Sequence, residues 1–105
     1  MSSRWQIEFD FQQANRQAEK LVDVADRLEE VAKKKVAVAR EELPGYWEGT
    51  SARAFQGKQQ ELETAIMKSA KELRGEATKI RQIAKRIYDA EMRALEIARR
   101  RTYDQ

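Results

Sequence analysis

The spacing of hydrophobic and polar positions predicts two long helices. Along each of them, small and apolar residues recur at steps of four and three, which is typical of a coiled-coil seam. The first series has one extra step, at Val36. It consists of Ala14, Ala18, Leu21, Ala25, Leu28, Ala32, Val36, Ala39 and Leu43. The second consists of Phe55, Leu62, Ile66, Leu73, Ala77, Ile80, Ala84, Ile87, Glu91, Ala94 and Ala98, in which Glu91 is the one polar member.

The start of the chain has a different pattern. Trp5, Ile7, Phe9 and Phe11 alternate with polar neighbours, and this period of two predicts an extended arm over residues 1–10. Asp10 and Gln13 have the spacing of a capping box, in which two side chains satisfy free amides at a helix start. We therefore expect the first helix to cover about residues 11–43.

The end of the first helix is fixed by the only proline. Pro44 lacks an amide and disfavours α geometry in the residue before it, so the turn is expected at 44–50. The second helix then covers about 51–101. These segments predict an all-α fold, an antiparallel two-helix hairpin that forms a single domain over residues 1–105.

The two predicted helices differ in length. In an antiparallel hairpin, residue numbers rise along one helix as they fall along the other, so the two numbers of each facing pair have a constant sum. If Leu43 faces Ser51 across the turn, this sum is about 94, and Phe11 lies opposite Ile83. The second helix then extends beyond the first, and this overhang carries apolar residues that need cover from water. Either the extended arm or a second subunit provides that cover.

Composition excludes most enzyme classes. The chain has no cysteine and no histidine, which excludes zinc sites built on these residues, thiol nucleophiles and Ser-His-Asp relays. One proline and four glycines are too few for the turns of a multi-stranded sheet. Carboxylate pairs such as Glu72 and Glu76 lack the histidine of di-iron sites and the cleft of hydrolases. We expect no enzymatic activity, no metal and no cofactor.

Charge is spread along both helices. The 21 basic and 18 acidic residues give a net charge of +3 and alternate in sign, as on a solvated helical surface. Two basic tripeptides, 33–35 and 99–101, are the candidates for contact with nucleic acid or membrane, although the second also suits the end of a helix dipole. No apolar run approaches the length of a membrane span, and no conventional signal peptide is expected.

The predicted turn contains Tyr46, Trp47, Glu48 and Gly49. Trp47 would bury a large ring against the helix ends. Gly49 would supply either a backbone conformation or a close approach that a Cβ would block. The turn residues therefore form either a hydrophobic plug of the hairpin or a surface for a partner.

A WxG tripeptide in the only turn between two heptad-patterned helices, in a chain of about one hundred residues, resembles the WXG family of early-secreted-antigen-like proteins. The resemblance implies a hairpin that dimerises, often antiparallel, into a four-helix bundle. It implies export from the cytoplasm by the type VII pathway, through a membrane ATPase and without a cleaved signal peptide. It also implies a homodimer, or a heterodimer with a related helical protein or the N-terminal region of a toxin, which acts as an effector or escorts another substrate.

The resemblance assigns roles to particular residues. Tyr46, Trp47 and Gly49 would shape the turn. Many exported members or their partners carry a tyrosine followed four residues later by an acidic residue, whereas Tyr88 is followed by Met92 at that spacing. Tyr88 with Glu91 is the nearest equivalent and is the candidate export element. The seam of the hairpin and dimer would consist of Leu21, Leu28, Leu62, Ile66, Leu73 and Ile80.

Two other functions are compatible with the same fold. The first is an intracellular basic coiled-coil protein that binds nucleic acid through its positive surface, although nucleic acid is not the favoured partner. The second is a helical adaptor that is not exported and whose overhang docks the helices of a larger protein.

Overall fold

A computed structural model describes residues 2–42 and 49–104, and almost all of them are helical. Helix α1 covers Arg4–Glu30 and continues through a π-helical segment, Val31–Val36, into the short helix α2, Ala37–Glu41. Helix α3 covers Thr50–Asp104. The described residues contain no strand, which confirms the all-α prediction.

The chain divides into two compact units. One contains Met1–Leu21 and Gly75–Gln105, and the other contains Val22–Arg74. Within each unit, a segment of α1 packs against a segment of α3. In the first unit the two segments are antiparallel, because Phe11 contacts Tyr88 and the later residue Glu19 contacts the earlier residue Arg81.

The predicted extended arm is wrong, because α1 begins at Arg4. The side-chain oxygen of Ser3 accepts a hydrogen bond from the amide of Gln6 at 3.1 Å, which caps the helix seven residues before the predicted position. The predicted capping pair, Asp10 and Gln13, lies inside α1.

The alternation that predicted the arm consists of two helical pairs with a spacing of four residues. Ile7 is buried and Phe11 is half-buried on the side of α1 that faces α3. Trp5 and Phe9 are exposed, and their rings stack with centroids 5.2 Å apart. Residues four apart are neighbours on a helix, so a short alternation of this kind fits a helix as well as a strand.

Alanines form most of the buried core. Apart from Ile7, every buried residue of the described chain is an alanine. Six of them form two series with a spacing of seven residues, which is the repeat of a coiled-coil seam. Small side chains at these positions allow two helices to approach closely. The series are Ala18, Ala25 and Ala32 in α1, and Ala70, Ala77 and Ala84 in α3.

The π-helical segment explains the extra step at Val36. The amide of Ala37 donates to the carbonyl oxygen of Ala32, five residues back, so this turn contains one residue more than an α-turn. In an unbroken α-helix the seam position after Ala32 would be Lys35. The additional residue makes Lys35 exposed and leaves Val36 half-buried.

The predicted offset between the helices is also wrong. The observed contacts join Phe11 with Tyr88, Glu19 with Arg81, and Asp26 with Arg74. In these pairs the two residue numbers sum to about 100, whereas the prediction gave about 94. Two heptad-patterned helices present almost the same seam after a shift of about seven residues. Seam periodicity alone therefore cannot fix the offset.

The helical start of α1 covers part of the predicted overhang. Phe11 lies against Tyr88, and the residues around Ile7 approach Ile87 and Glu91. A helix thus partly covers Tyr88 and Glu91, where the prediction placed an extended arm or a second subunit, while Ile87 remains 52% exposed.

Glu42 and Gly49 are the described residues on either side of residues 43–48. Helix α2 ends at Glu41, and the amide of Glu42 donates to the carbonyl of Val38 at 2.9 Å. Gly49 precedes α3 and has φ +98°, a conformation that residues with a Cβ rarely adopt. A Cβ built on Gly49 would meet no atom within 4 Å, so the glycine is required for backbone conformation and not for space.

Candidate functional site

The side chains beside the alanines form two different flanks. Residues one and four positions after an alanine form what we call the closed flank, because contacts between the helices occur there. The seam position is the heptad position of the two alanine series, and it includes Phe11 and Glu63, seven residues before Ala18 and Ala70. Residues three positions after a seam position, or one position before it, form the open flank. Two separate sets of contacts, one in each unit, define the closed flank.

In the unit Val22–Arg74, the closed flank is held by Arg74. One guanidinium nitrogen donates to Asp26 at 2.6 Å and another donates to Glu29. The hydrogen bond from Arg74 lowers the pKa of Glu29, and the hydrogen bonds to Glu29 and Asp26 raise the pKa of Arg74. Both charged forms are therefore favoured when α1 and α3 are paired.

In the unit Met1–Leu21 with Gly75–Gln105, an ion pair occupies the closed flank, and an aromatic contact joins Tyr88 of that flank to Phe11, which lies in the seam seven residues before Ala18. Arg81 donates to Glu19 at 3.0 Å. The rings of Phe11 and Tyr88 lie with centroids 4.7 Å apart and planes tilted by 36°. The amine of Lys85 lies 5.6 Å from the centre of the Tyr88 ring, a distance at which a cation interacts with the π face.

The open flank carries large apolar side chains that are only partly covered, next to the exposed polar residues Gln17, Ser69 and Glu76. In the unit Val22–Arg74, Val24 is 43% exposed and Leu62 is 51% exposed. Leu28, Ile66 and Leu73 are half-buried beside them. Side chains of this size, left partly exposed at coiled-coil positions, are typical of a surface that a further helix covers.

The other unit has the same arrangement. Ile83 and Ile87 are 53% and 52% exposed, and Leu21 and Ile80 are half-buried. These four residues occupy the open-flank positions of their heptads. Each unit therefore has large, partly exposed apolar side chains on its open flank, whereas polar and aromatic contacts lie on its closed flank.

The structure separates two roles that the sequence analysis gave to one set of residues. None of the six predicted seam residues is fully buried, and Leu62 is exposed. The alanines form the contact between α1 and α3, whereas the leucines and isoleucines line the open flank. The spacing of seven between the alanines was visible in the sequence and is the signal that would have separated the two groups.

The candidate export residues lie where α3 packs against α1. Tyr88 contacts Phe11, and both Tyr88 and Glu91 are half-buried. They line a small pocket together with residues from the start of α1. The structure thus places both residues within a helix pair rather than on a free tail.

Of the predicted turn motif, Tyr46 and Trp47 lie outside the described residues. Gly49 is described, and its carbonyl accepts the amide of Arg53 at 3.1 Å, the first hydrogen bond of α3. Its positive φ explains why this position of the motif needs glycine.

The basic tripeptides are partly neutralised by neighbouring carboxylates. Lys33 and Lys34 lie 3.8 and 3.6 Å from Glu29 and Glu30. Arg100 lies 3.3 Å from Glu96, and the tripeptide 99–101 is exposed in the last turns of α3. In this position the cations interact favourably with the carboxyl end of the helix dipole.

One exposed feature was not singled out as a site from the sequence. Trp5 is 68% exposed and stacks on Phe9 on the outer side of α1. The spacing of four between the two aromatic residues was the available signal, and the extended-arm prediction concealed it.

The described residues contain no set of three or more metal-ligating side chains arranged to hold an ion. Among the described helices, none is long and apolar enough to cross a membrane.

The described residues define a small all-helical protein in which two long helices pack against each other. The sequence matches the family model described as "WXG100: Proteins of 100 residues with WXG" over residues 6–92. The chain therefore belongs to the WXG100 family, which is associated with type VII secretion. Comparisons with curated proteins and with solved structures give no match.

Proposed function

We propose that this protein pairs with a second helical hairpin through its open flank, and that it is exported by, or escorts a substrate to, a type VII secretion system. It acts by binding and not by catalysis. The single observation that carries the pairing is the row of large apolar side chains that each unit leaves partly exposed beside a core of alanines.

The energetic argument for pairing rests on the unequal sizes of buried and exposed side chains. Alanine methyl groups bury little apolar surface, and each Å² contributes about 25 cal/mol. Full burial of a leucine or isoleucine contributes about 1.5–3 kcal/mol, and these residues lie on the open flank. A second copy, joining its own open flank in a four-helix bundle, is the simplest partner. A related helical protein or the N-terminal region of a toxin offers the same chemistry.

The proposal of export rests on family membership and on two groups of residues. Tyr88 with Glu91 is the candidate export element, read by the secretion ATPase. The turn motif of Tyr46, Trp47 and Gly49 is a second surface for the ATPase or the partner. Export by this route starts from the cytoplasm and needs no cleaved signal peptide.

A secretion assay tests the proposal. A tagged copy is expressed in a bacterium with a type VII system and in a strain lacking its ATPase, and the tag is measured in the medium. We expect secretion only with the ATPase and at least a tenfold loss for Glu91→Gln. The control is Glu96→Gln, which alters an exposed carboxylate in the same helix.

Each result bears on one part of the proposal. Secretion without the ATPase would contradict the type VII route. Retention of the wild type in the cells would contradict its own export. Undiminished secretion of Glu91→Gln would contradict the assignment of the export element.

A further inference from the structure

A small pocket in the unit Met1–Leu21 with Gly75–Gln105 lies between the seam and the open flank. Its volume is about 100 Å³. Pockets for drug-sized ligands have volumes of roughly 300–1,000 Å³, so this one is of a size for a single side chain. Its apolar walls include Ile7, Ala14, Ala84 and Ile87.

The pocket has a clear origin in the heptad pattern. Ala14 occupies the position that Leu21 and Leu28 occupy in the next two heptads of α1. A leucine at this position would project into the space that now forms the pocket. Phe11 and Tyr88, which also line the pocket, lie against each other and leave that space unfilled.

Two carboxylates, those of Asp10 and Glu91, also line the pocket. The unit has seven acidic residues whose side chains are described, and five of them form ion pairs: Glu8 with Arg4, Glu19 with Arg81, Glu76 with Lys79, Asp89 with Lys85, and Glu96 with Arg100. Among the described residues, Asp10 and Glu91 have no such cation. Asp10 accepts only a neutral hydrogen bond, from the side-chain amide of Gln6 at 2.8 Å.

We propose that the pocket receives a lysine or arginine side chain from a second copy of this chain. The aliphatic part of that side chain lies between the apolar walls, and its cation lies at Asp10 and Glu91. Long basic side chains commonly bury their stems along apolar surface while the charge stays at a polar edge. This inference rests on the proposed pairing and adds the chemistry of one contact within it.

Charge complementarity distinguishes this occupant from an apolar side chain. An apolar occupant would remove water from two carboxylates without supplying a partner, which is unfavourable. A basic side chain supplies charge-assisted hydrogen bonds instead. A second copy carries 21 lysine and arginine residues and can therefore supply the cation from one of them.

Two variants test this contact in the full chain. Ala14→Leu fills the pocket with the residue that the heptad carries at Leu21. Asp10→Asn with Glu91→Gln removes both charges at nearly constant volume. Ala65→Leu, at an exposed position of the other unit, is the matched control for added volume.

Sedimentation velocity at low and high salt measures the dimer dissociation constant of each variant, and circular dichroism checks its fold. We expect Ala14→Leu to raise the dissociation constant at least tenfold and Ala65→Leu to leave it unchanged. The double variant should raise it at least fivefold at low salt, with a weaker dependence on salt. If Ala14→Leu does not fold, the dissociation constant of the double variant tests the pocket contact by itself.

The possible failures are distinguishable. A wild-type dimer that Ala14→Leu leaves unchanged would overturn the pocket contact, while the proposed pairing would stand. Equal or tighter pairing of the double variant would also overturn it, because the occupant would then not be a cation. A wild type that is monomeric at every concentration would overturn both the second copy as occupant and the proposed self-pairing.

Discussion

Arg74 shows at the scale of one residue how α1 and α3 are held in register within their unit. Its guanidinium donates from α3 to Asp26 and Glu29, which lie three residues apart on α1. The planar guanidinium can serve two carboxylates at once, which a lysine amine does less well. The partners of Arg74 could not be predicted from the sequence, because they depend on the offset between the helices.

The Arg74 contact predicts an acid dependence of stability. The pKa of Glu29 is lowered in the folded chain, chiefly by the hydrogen bond from Arg74, relative to an ordinary value of 4.5. The contribution of the ionised Glu29 carboxylate to folding stability is therefore complete above pH 4.5 and is lost as the pH falls through the lowered pKa. We expect the difference in Tm between pH 7 and pH 3 to be smaller for Glu29→Gln than for the wild type.

The control for this measurement is Glu30→Gln, which removes an exposed carboxylate that forms an ion pair with Lys34. It should retain the acid dependence of the wild type more fully than Glu29→Gln does. Equal pH dependence of the wild type and Glu29→Gln would show that Glu29 does not couple folding to protonation.

The need for glycine at position 49 was predicted from the sequence, but its physical reason was not. The sequence allowed either a special backbone conformation or a close approach. The positive φ and the empty space around a built Cβ select the first. That choice depends on three-dimensional surroundings, which a tripeptide motif does not contain.

At the scale of the helices, the alanine seam is the main structural element. Ala25 is fully buried in the unit Val22–Arg74. We expect Ala25→Leu to destabilise the chain by about 1–3 kcal/mol, because extra volume in a packed seam forces the helices apart. Thermal unfolding measures this as a fall in Tm of roughly 4–8 °C for each kcal/mol.

Ala65→Leu is again the matched control, since its added volume projects from an exposed position. Its effect should lie within about 0.5 kcal/mol of zero. Equal stability of Ala25→Leu and this control would show that close approach along the alanines does not hold the pair together.

The π-helical segment predicts the outcome of a deletion. Removing Lys35 brings Val36 to the position three residues after Ala32, where a regular α-helix would place it in the seam. We expect the deletion to convert Val31–Val36 into α-helix without loss of stability, because the π-turn accommodates one residue of excess length. Amide hydrogen exchange of residues 33–38 should become slower.

Lys35→Ala keeps the residue count and is the control. It should retain the π-turn and the exchange rates of the wild type. A loss of more than about 1 kcal/mol on deletion of Lys35 would show that the π-turn itself is needed for packing.

The helices also show which parts of the fold are readable from sequence. The number and type of helices followed from periodicity and from the rarity of proline. The start of α1 could not be predicted from periodicity, because the apolar residues at 5, 7, 9 and 11 fit a strand and a helix equally well over so short a segment. The offset between α1 and α3 could not be predicted either, because a heptad-patterned helix presents nearly the same seam after a shift of seven residues.

At the scale of the whole molecule, the division of each unit into closed and open flanks carries the functional account. Contacts such as those of Arg74 and Arg81 close one flank, and side chains such as Leu62, Ile83 and Ile87 are left partly exposed on the other. The sequence identified these residues as apolar seam positions but could not say which contact they serve. The burial of the alanines in the structure is what shows that they form the contact between α1 and α3 and that the larger residues do not.

The mass of the protein in solution tests self-pairing through the open flank. Sedimentation equilibrium over micromolar concentrations should give twice the chain mass of 12.3 kDa. Leu62→Gln should weaken the dimer at least tenfold while the helix content is retained, because Leu62 is already half exposed in the single chain. A mass of 12.3 kDa at every concentration, or an unweakened Leu62→Gln dimer, would contradict self-pairing through the open flank.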